Sequence, residues 1–268
     1  MSEENLVAVT ARLPAGLILA ISIAWIAHKR GSLSQSGRVA AVVVAVASVA
    51  AGWSWAFLLI AFFVTSTILS HIGESSKRSI TDDVVAKGGR RDAWQVIANG
   101  GVYGLLAIGF AITSHPLVQA AACGALAAST ADTWATEAGT LSRHAPRHIL
   151  TWERVTAGTS GGVTLPGTLA GLLGAAFIGI VCIGMGWPRM AGMAAMTGGF
   201  AGSTIDSVLG ATVQEKRWCP TCERGTERAI HSCGTATLRA GGFAWLGNDL
   251  VNLLSSVAGA IVGSLWFL

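Results

Sequence analysis

The chain has 268 residues, of which 52% are apolar and only 12% charged, and its mean hydropathy is +0.58. A soluble domain carries roughly a quarter charged residues, so this composition excludes an ordinary soluble enzyme and points to an integral membrane protein. The net charge of +4 is too small for a nucleic-acid footprint, and the 34 glycines suit helices that pack closely in lipid.

A helix spans a bilayer with about 20 apolar residues. On that measure the predicted spans are 6–27, 38–52, 53–71, 94–113, 115–133, 163–186, 188–212 and 244–267. The predicted class is an all-α polytopic membrane protein, a single transmembrane domain over 1–268 with about seven to eight helices. The count depends on 38–52, which is short enough that Gly52 could merely bend one long helix. The first apolar run follows Glu3 and Glu4 with no basic leader, and reads as a retained helix rather than a cleaved signal.

Lysines and arginines mark the cytoplasmic side of a membrane. They place the N-terminus outside and make 28–37, 72–93, 134–162 and 213–243 cytoplasmic; only Arg12 and Arg189 fall away from these segments. Trp53, Trp55, Trp187 and Trp266 then mark the outer interface, and Trp25, Trp94, Trp134 and Trp245 the inner one.

The first polar loop carries Lys77, Arg78, Lys87, Arg90 and Arg91. Guanidinium forks match phosphate oxygens in shape and charge. Anchoring to anionic lipid would also explain these charges. It would not explain Gln95 and Asn99, which follow Arg91 at i+4 and i+8 into a membrane helix.

Two acids recur in one setting. "STADT" ends in Asp132 and Thr133, and "STIDS" contains Asp206. Each closes a helix pair, the first pair opening near "NGGV" at Asn99 and the second near "SGGV" at Ser160. Both pairs run inside–outside–inside, which predicts two parallel repeats. An intramembrane carboxylate costs about 2.5–3.5 kcal/mol at a helix centre, so a repeated one needs a partner. Mg²⁺ bound by Asp132 and Asp206 would serve, because Mg²⁺ binds through one or two carboxylates and substrate phosphates. Helix capping or pairing with arginine is the structural alternative. Glu137 lies one turn beyond Thr133, and Gln214 continues a stripe from Asp206 through Gly210, where the missing side chain would leave room for a ligand.

Three further groups complete the candidates. "GTSGGV" places Ser160, Gly161 and Gly162 where a helix is expected to open, a setting that binds phosphate. "NDLVN" places Asn248, Asp249 and Asn252 at the start of the last span. The last cytoplasmic loop carries Cys219, Cys222, His231 and Cys233, a donor set that suits tetrahedral Zn²⁺. A redox Cys-x-x-Cys is the rival reading. Cys123 and Cys182 sit in apolar runs and read as packing residues.

Taken in order, "GRRDAWQVIANGG", "ADTWATEAGTLS", "GTSGGVTLPGTLAG", "GSTIDSVLGATVQ", "CPTC…HSCG" and "NDLVNLLSS" resemble the membrane family that includes the plant phytyl-phosphate kinase. That family is distantly similar to prenol and dolichol kinases and membrane cytidylyltransferases. The resemblance covers about Ser66 to the C-terminus. It implies phosphoryl transfer from a nucleoside triphosphate, CTP in the plant case, to an isoprenoid monophosphate. By motif it implies site roles for Asp132, Glu137, Asp206, Arg90, Arg91, Asp92, Gln95, Asn99, Asn248, Asp249 and Asn252. The expected setting is a prokaryotic plasma membrane with the site on the cytoplasmic side. Nucleotidyl transfer to a lipid phosphate and small-molecule transport remain alternatives.

Overall fold

The computed structural model describes residues 3–268, with side chains from Leu6 onward; the side chains of Glu3 and Glu4 lie outside the described residues. Among the described residues nine α-helices run in the order α1 (Glu3–Lys29), α2 (Gln35–Ala51), α3 (Trp53–His71), α4 (Glu74–Thr81), α5 (Ala93–Thr113), α6 (Pro116–Thr140), α7 (Leu165–Gly184), α8 (Arg189–Thr212) and α9 (Asn248–Ser264). The loops add short antiparallel strands. β1 (Arg147–His148) pairs with β2 (Gly162–Val163), and a three-stranded sheet in the order β4-β3-β5 uses β3 (Lys216–Cys219), β4 (Arg224–Thr226) and β5 (Leu238–Gly241).

Five helices, α1, α3, α5, α7 and α9, are long and apolar enough to cross a membrane. Helix α2 is apolar but has only 17 residues. Gly52, at φ 147, separates α2 from α3 rather than bending one helix. Near the end of α2 the Arg12 guanidinium donates to the Ala50 carbonyl at 2.7 Å. A cation there satisfies a terminal acceptor and complements the helix dipole, which accounts for an arginine far from the other basic residues.

Helix α6 is the hub, with α3, α5, α7, α8 and α9 packed around it. Every residue from Gln119 to Ala131 is buried. Most are Ala, Gly, Ser or Thr, which lowers hydropathy while letting backbones approach. At the crossing of α6, α8 and α9, a Cβ on Gly124 would stand 2.1 Å from the Gly259 carbonyl oxygen, and one on Gly198 2.5 Å from it. Hydroxyls stitch the same contact: Ser129 meets Ser256 at 2.9 Å, and Ser255 donates to Gly202 at 3.1 Å. Cys123 and Cys182 are fully buried, with sulfurs 3.6 Å apart, as packing residues.

Several boundaries differ from the sequence expectation. Helix α6 continues to Thr140, so 134–162 begins with nearly two helical turns. Segment 72–93 contains α4, and α9 starts at Asn248 rather than 244. Trp55 is not an interfacial residue. It is 1% exposed and packs on Tyr103, Phe110 and Trp187 at ring distances of 5.5, 4.9 and 5.3 Å. Trp25, Trp53, Trp94 and Trp245 are exposed, as interfacial rings would be. The two "GGV" segments are not equivalent in place, because Asn99–Val102 lies inside α5 whereas Gly162–Val163 forms β2 ahead of α7.

Candidate functional site

The polar ends of α3, α5, α6, α7 and α8, the first turns of α9, and α4 with the following loop enclose a cavity of about 1720 Å³. It collects nearly every residue singled out above except the four Cys/His ligands.

One wall is acidic. Because α6 runs on past Thr133, Asp132, Thr133 and Glu137 all face the cavity. Asp206 enters from α8 and is near enough to Asp132 for their charges to interact. Neither aspartate caps its helix or forms an ion pair among the described residues. Asp206 Oδ2 is buried with no hydrogen-bond partner. A buried acceptor left unpaired is costly, and a cation shared with Asp132 would remove that cost.

Basic groups share the lining with these acids. Arg91 is fixed through its backbone: its N–H donates to Ser32 O and its carbonyl accepts from Ser34 N, both at 3.0 Å. Burial pulls its guanidinium below the usual arginine range, opposed by the charge of Glu137. Lys77 is committed to Glu137, at 2.5 Å, and to the Leu69 carbonyl, while Ser70 holds the other Glu137 oxygen at 2.6 Å. Arg78 pairs with Glu74 one turn back. Arg90 lines the cavity with no ion-pair partner among the described residues. Lys87 bridges Asp92 at 2.8 Å and Asp249 at 2.6 Å.

Some predicted roles change. Asp92 is absent from the cavity lining; it is the N-cap of α5, in a reciprocal capping box with Gln95. Gln95 lines the cavity as well, and Asn99 lies one turn further in, donating to the Gln95 carbonyl. Ser160, Gly161 and Gly162 line the cavity but do not open a helix, since α7 begins at Leu165 with Thr164 as its cap. The helix opening expected there lies at Leu165 instead. Gly161 instead has φ +80 and presses on α8, where a Cβ would lie 2.5 Å from Ala211 Cβ. The room expected beside Gly210 is filled by Ser160 and Gly161. Gln214 lies just past α8, buried, and Asn248, Asp249 and Asn252 line the cavity from the start of α9.

Glu227, in a loop read only for its cysteines and His231, is a lining residue the sequence reading missed. It accepts from Ser160 Oγ at 2.5 Å and from Gln214 Nε2 at 2.8 Å. Burial raises its carboxyl above the usual range, with these donors opposing. Thr67 and Ser70, near Arg91, were also missed. A polar stripe on an otherwise apolar α3 was their only signal.

The four soft ligands form a cluster outside the cavity. Their donor atoms lie within 4.8 Å of one another. Cys219 and Cys233 sulfurs are 3.7 Å apart, close to the edge of about 3.8 Å that a tetrahedron with Zn–S bonds of about 2.3 Å requires. His231 Nδ1 is 3.3 Å from Cys233 Sγ, and its buried Nε2 has no partner. Hydrogen bonding with Thr235, then with His231, holds the Cys233 thiol down at about 6, while contact with Cys233 pushes the Cys222 thiol up to about 11. The residues fit a metal such as Zn²⁺.

No solved structure matches the chain. Protein PGR of Arabidopsis thaliana is 32% identical, over 91% of this chain and 92% of its own length. An uncharacterized membrane protein of Methanocaldococcus jannaschii is 31% identical over 80% of this chain and 76% of its own. The chloroplastic protein VTE6 of Arabidopsis thaliana is 28% identical over 87% and 65%. The model of the integral membrane protein family DUF92 matches residues 18–260. With the family model matching residues 18–260 and a relative 32% identical over nine-tenths of the chain, the chain belongs to the DUF92 family of integral membrane proteins.

Proposed function

We propose that the protein is an isoprenoid-phosphate kinase, transferring the terminal phosphoryl group of a nucleoside triphosphate, CTP by analogy, to a phytyl- or geranylgeranyl-type monophosphate. The observation that carries this reading is the cavity, whose lining brings together Asp132, Asp206 with its buried unpartnered oxygen, Arg90 and Arg91. The resemblance of the sequence motifs to the family that includes the plant phytyl-phosphate kinase supports it, as does the similarity to the chloroplastic protein VTE6. The reading sets the cavity at the cytoplasmic leaflet of a prokaryotic plasma membrane, with α2, α6 and α8 spanning beside the five long apolar helices.

Phosphoryl transfer asks little covalent chemistry of a protein; positioning and charge stabilisation do most of the work. The acceptor phosphate is largely ionised near neutral pH, so no strong base is required. Arg90 and Arg91 hold phosphate oxygens, and the backbone anchorage of Arg91 keeps one of them in register. Asp132 and Asp206 would hold Mg²⁺, which when bound would neutralise charge on the donor phosphates. Asn248 and Asn252 offer hydrogen bonds to the nucleotide or acceptor. Glu137 and Lys77 neutralise each other and fix α4 on α6. The Cys₃His cluster holds a structural Zn²⁺.

Asp132→Asn and Asp206→Asn each keep shape and remove the charge. Each is expected to lower turnover at least 100-fold with the detergent-solubilised fold intact by circular dichroism. Near-normal turnover in both variants contradicts the assignment.

A further inference from the structure

The segment 82–92 roofs the cavity. Residues from Asp82 to Arg91 line it almost without interruption, and Lys87, Arg90 and Arg91 are the basic groups it carries. This segment contains no helix or strand of its own, so something else must hold it.

The loop that carries the Cys₃His cluster does so. The Glu227 N–H donates to the Val84 carbonyl at 2.7 Å, and Thr226 Oγ1 donates to the same oxygen at 3.2 Å. Arg228 Nε donates to the Val85 carbonyl at 3.0 Å, and Ser232 donates to Asp83. These four donors come from the stretch between Cys222 and Cys233, the part of the loop that a metal would draw taut. Within it the Glu227 side chain lines the cavity and accepts from Ser160, in the loop ahead of β2, and from Gln214, just past α8. One residue thus joins three segments, its backbone on Val84 and its carboxylate on the two side chains.

We propose that the Cys₃His loop is the clasp of the cavity roof, and that Glu227 is the positioning residue through which the cluster sets the geometry of the cavity. The metal then acts at a distance from the reacting atoms. When bound it would order residues 226–228, which hold Val84 and Val85 and with them the part of the roof that runs up to Lys87, while Arg91 at the far end keeps its own backbone anchorage on Ser32 and Ser34. Two sites joined by one ordered segment are linked thermodynamically, and the coupling is reciprocal. This inference uses the cavity as the functional site but does not depend on which reaction occurs there.

The test is amide hydrogen exchange by mass spectrometry on the full-length protein in detergent, with metal content measured in parallel. Stripping the metal with a chelator is expected to speed exchange at least tenfold in peptides covering the Glu227 amide and residues 82–92, with α6 unchanged. Arg228→Ala, which touches no ligand of the cluster, is expected to loosen 82–92 while keeping the metal. Glu227→Ala is expected to keep the metal and loosen 158–162, and Glu227→Gln, which retains the acceptor oxygen, to restore protection there. Unchanged exchange in 82–92 after verified metal loss overturns the clasp. Unchanged exchange in 158–162 with Glu227→Ala overturns the positioning role. Neither result bears on the kinase reading, because no substrate is present.

Discussion

Replacing Lys77 by Met tests the ion pair that joins α4 to α6. Lys77 is the buried residue of α4, and its ammonium lies 2.5 Å from Glu137, the two side chains being only 10% and 20% exposed. Removing one partner of a fully buried pair costs about 3–5 kcal/mol, because the other charge is left uncompensated. Here the pair borders a polar cavity, and Glu137 keeps its 2.6 Å hydrogen bond from Ser70. Solvent screening and that bond reduce the expected loss to about 2–3 kcal/mol. Adding Glu137→Gln removes the orphaned charge and keeps an acceptor for Ser70, so the double variant is expected to regain about 1–2 kcal/mol. The assay is reversible unfolding in mixed sodium dodecyl sulfate and dodecyl maltoside micelles, followed by circular dichroism as a full double-mutant cycle. A Lys77→Met protein within about 0.5 kcal/mol of wild type, or strictly additive variants, refutes the reasoning.

Gly124→Ala drives a methyl to 2.1 Å from the Gly259 carbonyl oxygen and is expected to cost about 3 kcal/mol or more as overpacking, read out in the same unfolding assay; Gly225→Ala, with nothing within 4 Å, is the neutral control. Asp92→Ala removes the cap of α5 and is expected to cost about 1 kcal/mol, whereas Asp92→Asn costs less. Burial tends to raise the Asp92 carboxyl, but hydrogen bonds from Lys87 and the Gln95 amide outweigh it and hold it low. A depressed acid stabilises fully above its unfolded value of about 3.9 and loses that contribution as pH falls through the folded value. Thermal stability should therefore be indifferent to this group between pH 5 and 7 (roughly), then fall in acid, and Asp92→Asn should flatten that acid limb. Elemental analysis should find one zinc per chain in wild type and markedly less in Cys219→Ser; equal zinc in both contradicts a Cys₃His site.

The membrane class was legible because composition alone excludes a soluble core, and the apolar runs marked the helices to within a few residues. Four features were not legible. Helix α6 was cut short at Thr133 because Trp134, Thr136 and Glu137 read as a departure from lipid; a helix lining a polar cavity can carry such residues inside a protein. Trp55 read as interfacial because, like Trp53, it lies beside an outer turn, and only tertiary structure reveals the aromatic cluster around it. The acids, arginines and Cys/His ligands stood out because each is expensive in an apolar chain without a purpose. Ser160–Gly162 misled because a glycine-rich run before a helix has the same letters whether it cradles phosphate or lets the chain press against α8. Glu227 was overlooked because its partners, Ser160 and Gln214, are distant in sequence or lie across a turn, and no local spacing records that contact.

The most direct measurement is the product formed by purified protein in nanodiscs given phytyl or geranylgeranyl monophosphate, Mg²⁺ and each nucleoside triphosphate in turn, with lipids read by mass spectrometry. The account predicts an isoprenoid diphosphate with an equal amount of nucleoside diphosphate, abolished in Asp206→Asn. A nucleotidylated lipid with released pyrophosphate, or no turnover by protein shown to be folded and zinc-loaded, contradicts it.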